Sequence, residues 1–149
     1  MTIEMTRLNL LSPLCYVPDK DSDPFGYREG SGEMLFCFEL NEEQYRSFEP
    51  DKTVLLGNLV FGAKAAADTG EEKTETGETF RELPQGAYLF VQKREILSRE
   101  DIVDLAAELQ AEGLWQRIEP GKKLYLRYLY EDGSSVTQLF RPYSKGTLP

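Results

Sequence analysis

The stretch Leu83-Pro84-Gln85-Gly86-Ala87-Tyr88-Leu89-Phe90-Val91-Gln92 constrains this chain more than any other. Pro84 presets φ and lacks an N–H, and Gly86 can adopt a positive φ, so Pro-x-Gly reads as a turn. The run from Thr79 to Gln92 is then a strand interrupted at Leu83–Gly86. Ser98 follows as an N-cap, with Glu100 and Asp101 at the positive end of the helix dipole. Ile102, Leu105, Ala106 and Leu109 recur at helical spacing, and Gly113 stands where a left-handed C-cap belongs. A turn, a strand and a helix over about 99–112 thus come in fixed order. The helix stripe needs an apolar sheet face to cover it.

The rest of the chain supplies strands for that sheet. Residues 7–17 are mostly apolar and end at Pro18, with Pro13 implying an edge position or a bulge. Residues 18–32, with two Pro, three Gly and four Asp or Glu, read as a loop. In Glu33–Leu40, Met34, Phe36, Phe38 and Leu40 alternate with Leu35 and Cys37, the period of a buried strand. Asn41 and Gln44 fit a capping pair for a short helix over about 42–48, stopped by Pro50. Thr53–Gly62 reads as a third strand, with Gly57 as a bulge or a close backbone approach. Residues 63–78 hold no large apolar side chain and are expected to form a mobile acidic loop. Leu124–Tyr130 and Val136–Phe140 flank Glu131-Asp132-Gly133-Ser134-Ser135, a hairpin with Gly at its turn.

Composition narrows the class. At 149 residues, 40% apolar and 29% charged, the chain fits one α+β domain over 1–149, with the main and short helices packed on an antiparallel sheet. No apolar run approaches a membrane span and no signal-peptide series opens the chain, so a cytoplasmic protein is expected, with no membrane partner. Cys15 and Cys37, flanked by apolar residues, read as buried thiols rather than a disulfide or a metal pair. The net charge of −9 argues against nucleic-acid binding. Residues 1–75 carry net −8 and residues 76–149 net −1, so the acidic half could attract a basic partner.

Chemistry has little to work with. The chain has no histidine, which removes the commonest general base, the commonest metal ligand and every Ser-His or Cys-His pair. No phosphate loop, dinucleotide fingerprint or Cys-x-x-Cys is present. No catalytic residue, metal site or cofactor is expected, and the reading leans away from an enzyme. Aromatic residues on strands stand out instead. Tyr88, Phe90, Tyr128 and Tyr130, with Trp115 just after the helix, either fill a core or line a pocket for a small apolar or aromatic ligand.

Pro84, Gly86 and Tyr88, and the terminal Phe140-Arg141-Pro142, resemble the GyrI-like (gyrase-inhibitor-like) effector-binding domain, mainly over residues 53–143. That resemblance implies a βαββ unit repeated about a pseudo-twofold axis, here with a degenerate first half because residues 18–32 read as a loop. It also implies a pocket carboxylate on the penultimate strand that pairs with cationic ligands. Here Leu124-Tyr125-Leu126-Arg127-Tyr128 has no acid before the tyrosine, and Arg127, if it points inward, would favour anions; Glu39 could substitute.

Two readings stay open. One is a non-enzymatic small-molecule (effector)-binding module lined by Tyr88, Phe90, Trp115, Arg127, Tyr128 and Tyr130. The other is an acidic protein-interaction domain that, as gyrase inhibition would imply, binds a basic protein partner. A hydrolase using Tyr and Glu is weaker, since the family's glutamate is missing.

Overall fold

The computed structural model describes residues 6–19, 23–28, 32–40, 58–65, 81–115 and 119–144. Within them the chain is mostly β, an α+β fold with one helix. Its strands are β1 (Thr6–Leu10), β2 (Leu14–Pro18), β3 (Met34–Glu39), β4 (Asn58–Ala65), β5 (Arg81–Leu83), β6 (Gly86–Lys93), β7 (Glu119–Pro120), β8 (Lys123–Glu131) and β9 (Ser134–Ser144), and its helix is α1 (Arg99–Trp115). The short helix expected over 42–48, the bulge at Gly57 and the loop beyond Ala65 lie outside the described residues.

Eight strands form one antiparallel sheet in the order β1-β6-β9-β8-β3-β4-β2-β5, with β7 pairing the end of β9. The sheet curls into a half-barrel, and chain length shows how tightly. β1 and β5 end the path, yet β1 leads to β2 through only Leu11-Ser12-Pro13, and β5 leads to β6 through Pro84-Gln85. Four residue steps span at most about 14 Å and three about 11 Å, so the two margins lie side by side. Leu10 pairs with Gly86 and Leu14 with Leu83, so β1/β2 and β5/β6 amount to two long bent strands that pair along both halves. The two proline-bearing interruptions form the bend. Gly86 takes φ +150°, the conformation its lack of a side chain allows.

The strand order is also palindromic. Exchanging β1 with β5, β2 with β6, β3 with β8 and β4 with β9, which keeps chain order, maps the central β3–β8 ladder onto itself and the other six ladders onto one another in pairs. In that exchange α1, between β6 and β8, corresponds to the segment between β2 and β3. Its described residues Phe25 and Tyr27 lie on the same face as the helix: Tyr27 stacks on Tyr128, and Phe25 lies against Phe38.

The alternation in β3 is realised. Met34, Phe36 and Phe38 join the cluster under α1, while Leu35 and Cys37 join the one on the other face. Ile102, Leu105, Ala106 and Leu109 are all buried against the sheet, and Ser98 Oγ accepts the Asp101 N–H at 3.2 Å as the N-cap. Each fully buried Leu or Ile contributes roughly 1.5–3 kcal/mol. The β8–β9 turn has φ 51° at Asp132 and 80° at Gly133, the type I′ pattern of a two-residue hairpin.

Three boundaries differ from expectation. The helix passes through Gly113 to Trp115 rather than ending there. β4 runs on to Ala65, so Ala63–Ala65, expected in the loop, are strand, and Ala63 is fully buried. The described bulge falls at Val60, where the register shifts between Cys37 and Phe38.

Candidate functional site

The face turned away from α1 collects side chains from every strand of the path. Tyr16, Leu35, Cys37, Ala63, Leu83, Tyr88, Tyr125 and Phe140 are buried there, and Leu8, Leu10, Leu14, Phe61 and Phe90 are partly buried against them. Residues from both margins and from the middle of the sheet meet in this one cluster, which makes it the concave side.

Its floor is aromatic. The Tyr88 ring meets Tyr125 and Phe140 edge-on, at centroid distances of 6.2 and 5.7 Å, and Phe90 tilts against Phe140 at 5.0 Å. Tyr88 donates its hydroxyl hydrogen to Pro84 O, so the turn that feeds β6 also satisfies the strand's buried phenol. Burial, with Glu82 nearby, pushes the Tyr88 phenol up to about 12. Burial likewise lifts the Cys37 thiol to about 11 and raises Tyr125, so these groups stay protonated near neutral pH.

A polar layer lies beside that floor. Arg127 shares the Tyr125 side of β8, Glu33 the Leu35 side of β3, Gln138 the Phe140 side of β9 and Gln92 the Phe90 side of β6. Arg127 donates Nη2–H to Glu33 Oε2 at 2.9 Å, Nε–H to the Tyr16 hydroxyl at 2.7 Å and Nη1–H to Gln138 Oε1 at 2.9 Å. Tyr16 donates to the same Glu33 oxygen, and Gln138 passes the chain on to Gln92 Oε1. Gln92 faces Gln138 and Gln138 faces Arg127 in register, so this part of the network follows one rung across the sheet. Between β2 and β3, β4 sets Ala65 opposite Tyr16 and Ala63 opposite Leu35, so only small side chains of β4 stand between Tyr16 and Arg127.

The electrostatics follow from that geometry. Burial works against the Arg127 charge, but Tyr16 and Glu33 outweigh it and hold the guanidinium above its ordinary value. Burial raises Tyr16, and its bond to Glu33 adds to the effect. The Arg127 and Glu33 side chains keep 16% and 32% of their exposure, so the layer is reachable from solvent; of the aromatic floor only the half-buried Phe90 is, with Tyr88, Tyr125 and Phe140 buried.

Of the residues expected to line a pocket, Tyr88, Phe90 and Arg127 share the concave side. Tyr128 belongs to the opposite face, under Tyr27 and with its hydroxyl donated to Pro24 O. Tyr130, on the same side of β8 as Tyr128, is 53% exposed. Trp115 is the last residue of α1. Arg127 does turn inward, but paired rather than as a free cation, and the concave carboxylate beside it is Glu33, the residue just before β3, while Glu39 is exposed. Sequence reading missed Tyr16, Glu33, Gln92 and Gln138. The period-two signal was available, since each stands two or more residues along its own strand face from an apolar concave residue, but their pairing depends on strand order. Among the described residues, no group of three or more His, Cys, Asp or Glu is placed to hold a metal ion.

No protein-family model matches this chain, and no curated protein matches it either.

Proposed function

We propose that this chain is a non-enzymatic small-molecule-binding module of GyrI-like type, with its ligand on the concave side against the half-buried Phe90, over the buried Tyr88, and beside Arg127. The observation that carries the reading is the juxtaposition of a half-buried apolar wall with a solvent-reachable polar layer. That is the composition of a small-molecule site: mostly apolar, with a few convergent polar groups that fix orientation. The palindromic strand order supports a duplicated βαββ arrangement with a degenerate first half, in which Phe25 and Tyr27 cover the sheet where a helix would otherwise lie. A binding role fits the chemistry better than catalysis. The described concave phenols and thiol are held protonated by burial, and the one carboxylate set against a phenol, Glu33 on Tyr16, has its charge taken up by Arg127.

Titration with a neutral planar dye such as Nile red, followed by fluorescence and calorimetry, tests the reading. Saturable binding is expected, weakened about fivefold by Phe90→Ala, a loss of roughly 1 kcal/mol. Tyr130→Ala, on the opposite side of the sheet, should leave it unchanged. Absence of saturable binding across a broad panel would favour the acidic protein-interaction reading.

A further inference from the structure

Resting on the concave-site reading, we infer that the ligand is a flat apolar body carrying one carboxylate, which docks on Arg81. The register shows where the body lies. Phe90 pairs with Phe140, Phe140 with Tyr125, Tyr125 with Cys37 and Cys37 with Phe61, so one rung crosses β6, β9, β8, β3 and β4 with all its side chains on the concave side. The middle of the rung, Phe140, Tyr125 and Cys37, is buried, and its ends, Phe90 and Phe61, are half-buried. Four strand spacings put those ends about 19 Å apart along the sheet, and less across its curl. The rung is an apolar floor with an aromatic ring at each end.

Arg81 stands at the Phe61 end. It pairs with Tyr16 across β5 and β2, which turns its side chain to the concave side, and its guanidinium carbon lies over the Phe61 ring, 5.7 Å from the centroid. The half-buried arm thus reaches past β2 to β4. Its charge meets no counter-charge among the described residues. Glu33 is held by Arg127 and Tyr16, Glu39 stands opposite Lys123 in register, and Arg81 forms no ion pair with a described residue. A guanidinium stacked on a ring keeps its N–H donors for a second partner, and a planar carboxylate matches two of them at once. A ligand carboxylate at Arg81 supplies the missing negative charge and leaves the Arg127–Glu33 pair intact. The chain's net charge of −9 acts the other way, drawing cations at long range, so a preference for an anion has to be local.

The test titrates 1-pyrenebutyrate, 1-pyrenebutanol and 1-pyrenebutylammonium into the full chain at neutral pH, followed by pyrene fluorescence. The three share one flat ring system and differ in carrying an anionic, a neutral or a cationic tail. The butyrate should bind about tenfold tighter than either of the others, the size of one charge-assisted contact. Arg81→Gln should bring the butyrate down to the level of the butanol and leave the butanol unchanged. Arg81→Lys, which keeps the charge but not the planar fork, should cost the butyrate about threefold and stands as the test if the glutamine variant does not fold. Any other order of the probes on the unaltered chain, or a butyrate preference that substitution of Arg81 does not lower, overturns the inference; the concave site then stands if Phe90→Ala still weakens the butanol. Failure of all three probes to saturate overturns both.

Discussion

Tyr27 lies flat on Tyr128, with ring centroids 4.2 Å apart and planes 7° from parallel. Tyr128 in turn gives its hydroxyl hydrogen to Pro24 O, and Tyr27 gives its own to Gly32 O. The described residues 23–28 are thereby tied to Tyr128 by a ring stack and a hydrogen bond, over the part of the sheet where β3 and β8 pair. Tyr27→Ala should cost about 3–5 kcal/mol, the range for removing a buried aromatic ring. Tyr27→Phe, which removes only the hydroxyl, should cost about 1 kcal/mol. Urea midpoints showing equal losses for the two would mean that the ring is not seated on Tyr128.

The α1 stripe gives a second expectation. Leu105 is buried with Ile102, Ala106 and Leu109 against the sheet, so Leu105→Ala should lower stability by about 2–5 kcal/mol. A loss under about 0.5 kcal/mol in chemical denaturation, the size of a surface substitution, would place that stripe in solvent.

Arg127 and Glu33 should behave as a coupled pair. Arg127→Met leaves the Glu33 carboxylate part-buried and removes the partner of Gln138, for a cost of about 1–3 kcal/mol, below the fully buried case because both side chains keep some water. The double variant Arg127→Met with Glu33→Met should recover part of that loss. A double-mutant cycle with no coupling energy would show that the contact carries no weight in the folded state.

How far the sequence reveals this molecule depends on whether a feature is local. The Ser98 cap, the Ile102–Leu109 stripe, the Asp132-Gly133 turn and the alternation through Phe36 and Cys37 are set by neighbours a few residues apart, and all were legible. Gly113 was misjudged because a glycine tolerates a helix interior at a cost of about 1 kcal/mol, which the surrounding helix can absorb. The polar layer was not legible: Tyr16 and Arg127 are 111 residues apart, and nothing local to either says that β2 and β8 face one another across the half-barrel. The same holds for Tyr88 and Tyr128. Both are tyrosines on apolar strands, and only the register of β6 and β8 puts them on opposite faces.

The buried phenols and thiol predict an alkaline limit. Tyr88 is raised from 10.0 to about 12 and Cys37 from 9.0 to about 11, both first by burial. Below pH 9 these groups are protonated in folded and unfolded chains alike and their contribution is complete. Above it the unfolded chain loses its protons first, so stability falls through about pH 9 to 11 for Cys37 and about pH 10 to 12 for Tyr88. For Tyr88 the full change corresponds to on the order of 2 kcal/mol. Tyr16, Tyr125 and Tyr128 are raised by burial too and extend the fall in the same direction. Urea midpoints measured from pH 8 upward should decline from about pH 9, and Cys37→Ala should delay the onset by about one pH unit. A midpoint flat to about pH 11 would mean that these groups are hydrated in the folded chain.

Gly86 isolates a backbone effect from crowding. Its φ is +150°, and a Cβ added there would meet nothing within 4 Å, so any cost of Gly86→Ala is conformational. That cost is about 1–3 kcal/mol for an L-residue held in such a region. Gly86 pairs with Leu10 at the bend where the margins of the sheet meet, and the turn before it takes the Tyr88 hydroxyl on Pro84 O. The strain therefore cannot relax without disturbing the aromatic floor. Thermal and urea unfolding should both show the loss, and a D-alanine introduced at the same position by ligation should restore most of it, because its mirror-image preference matches the positive φ. Equal losses for the two alanines would put the cost in side-chain crowding instead and would refute the assignment of a left-handed backbone at this turn.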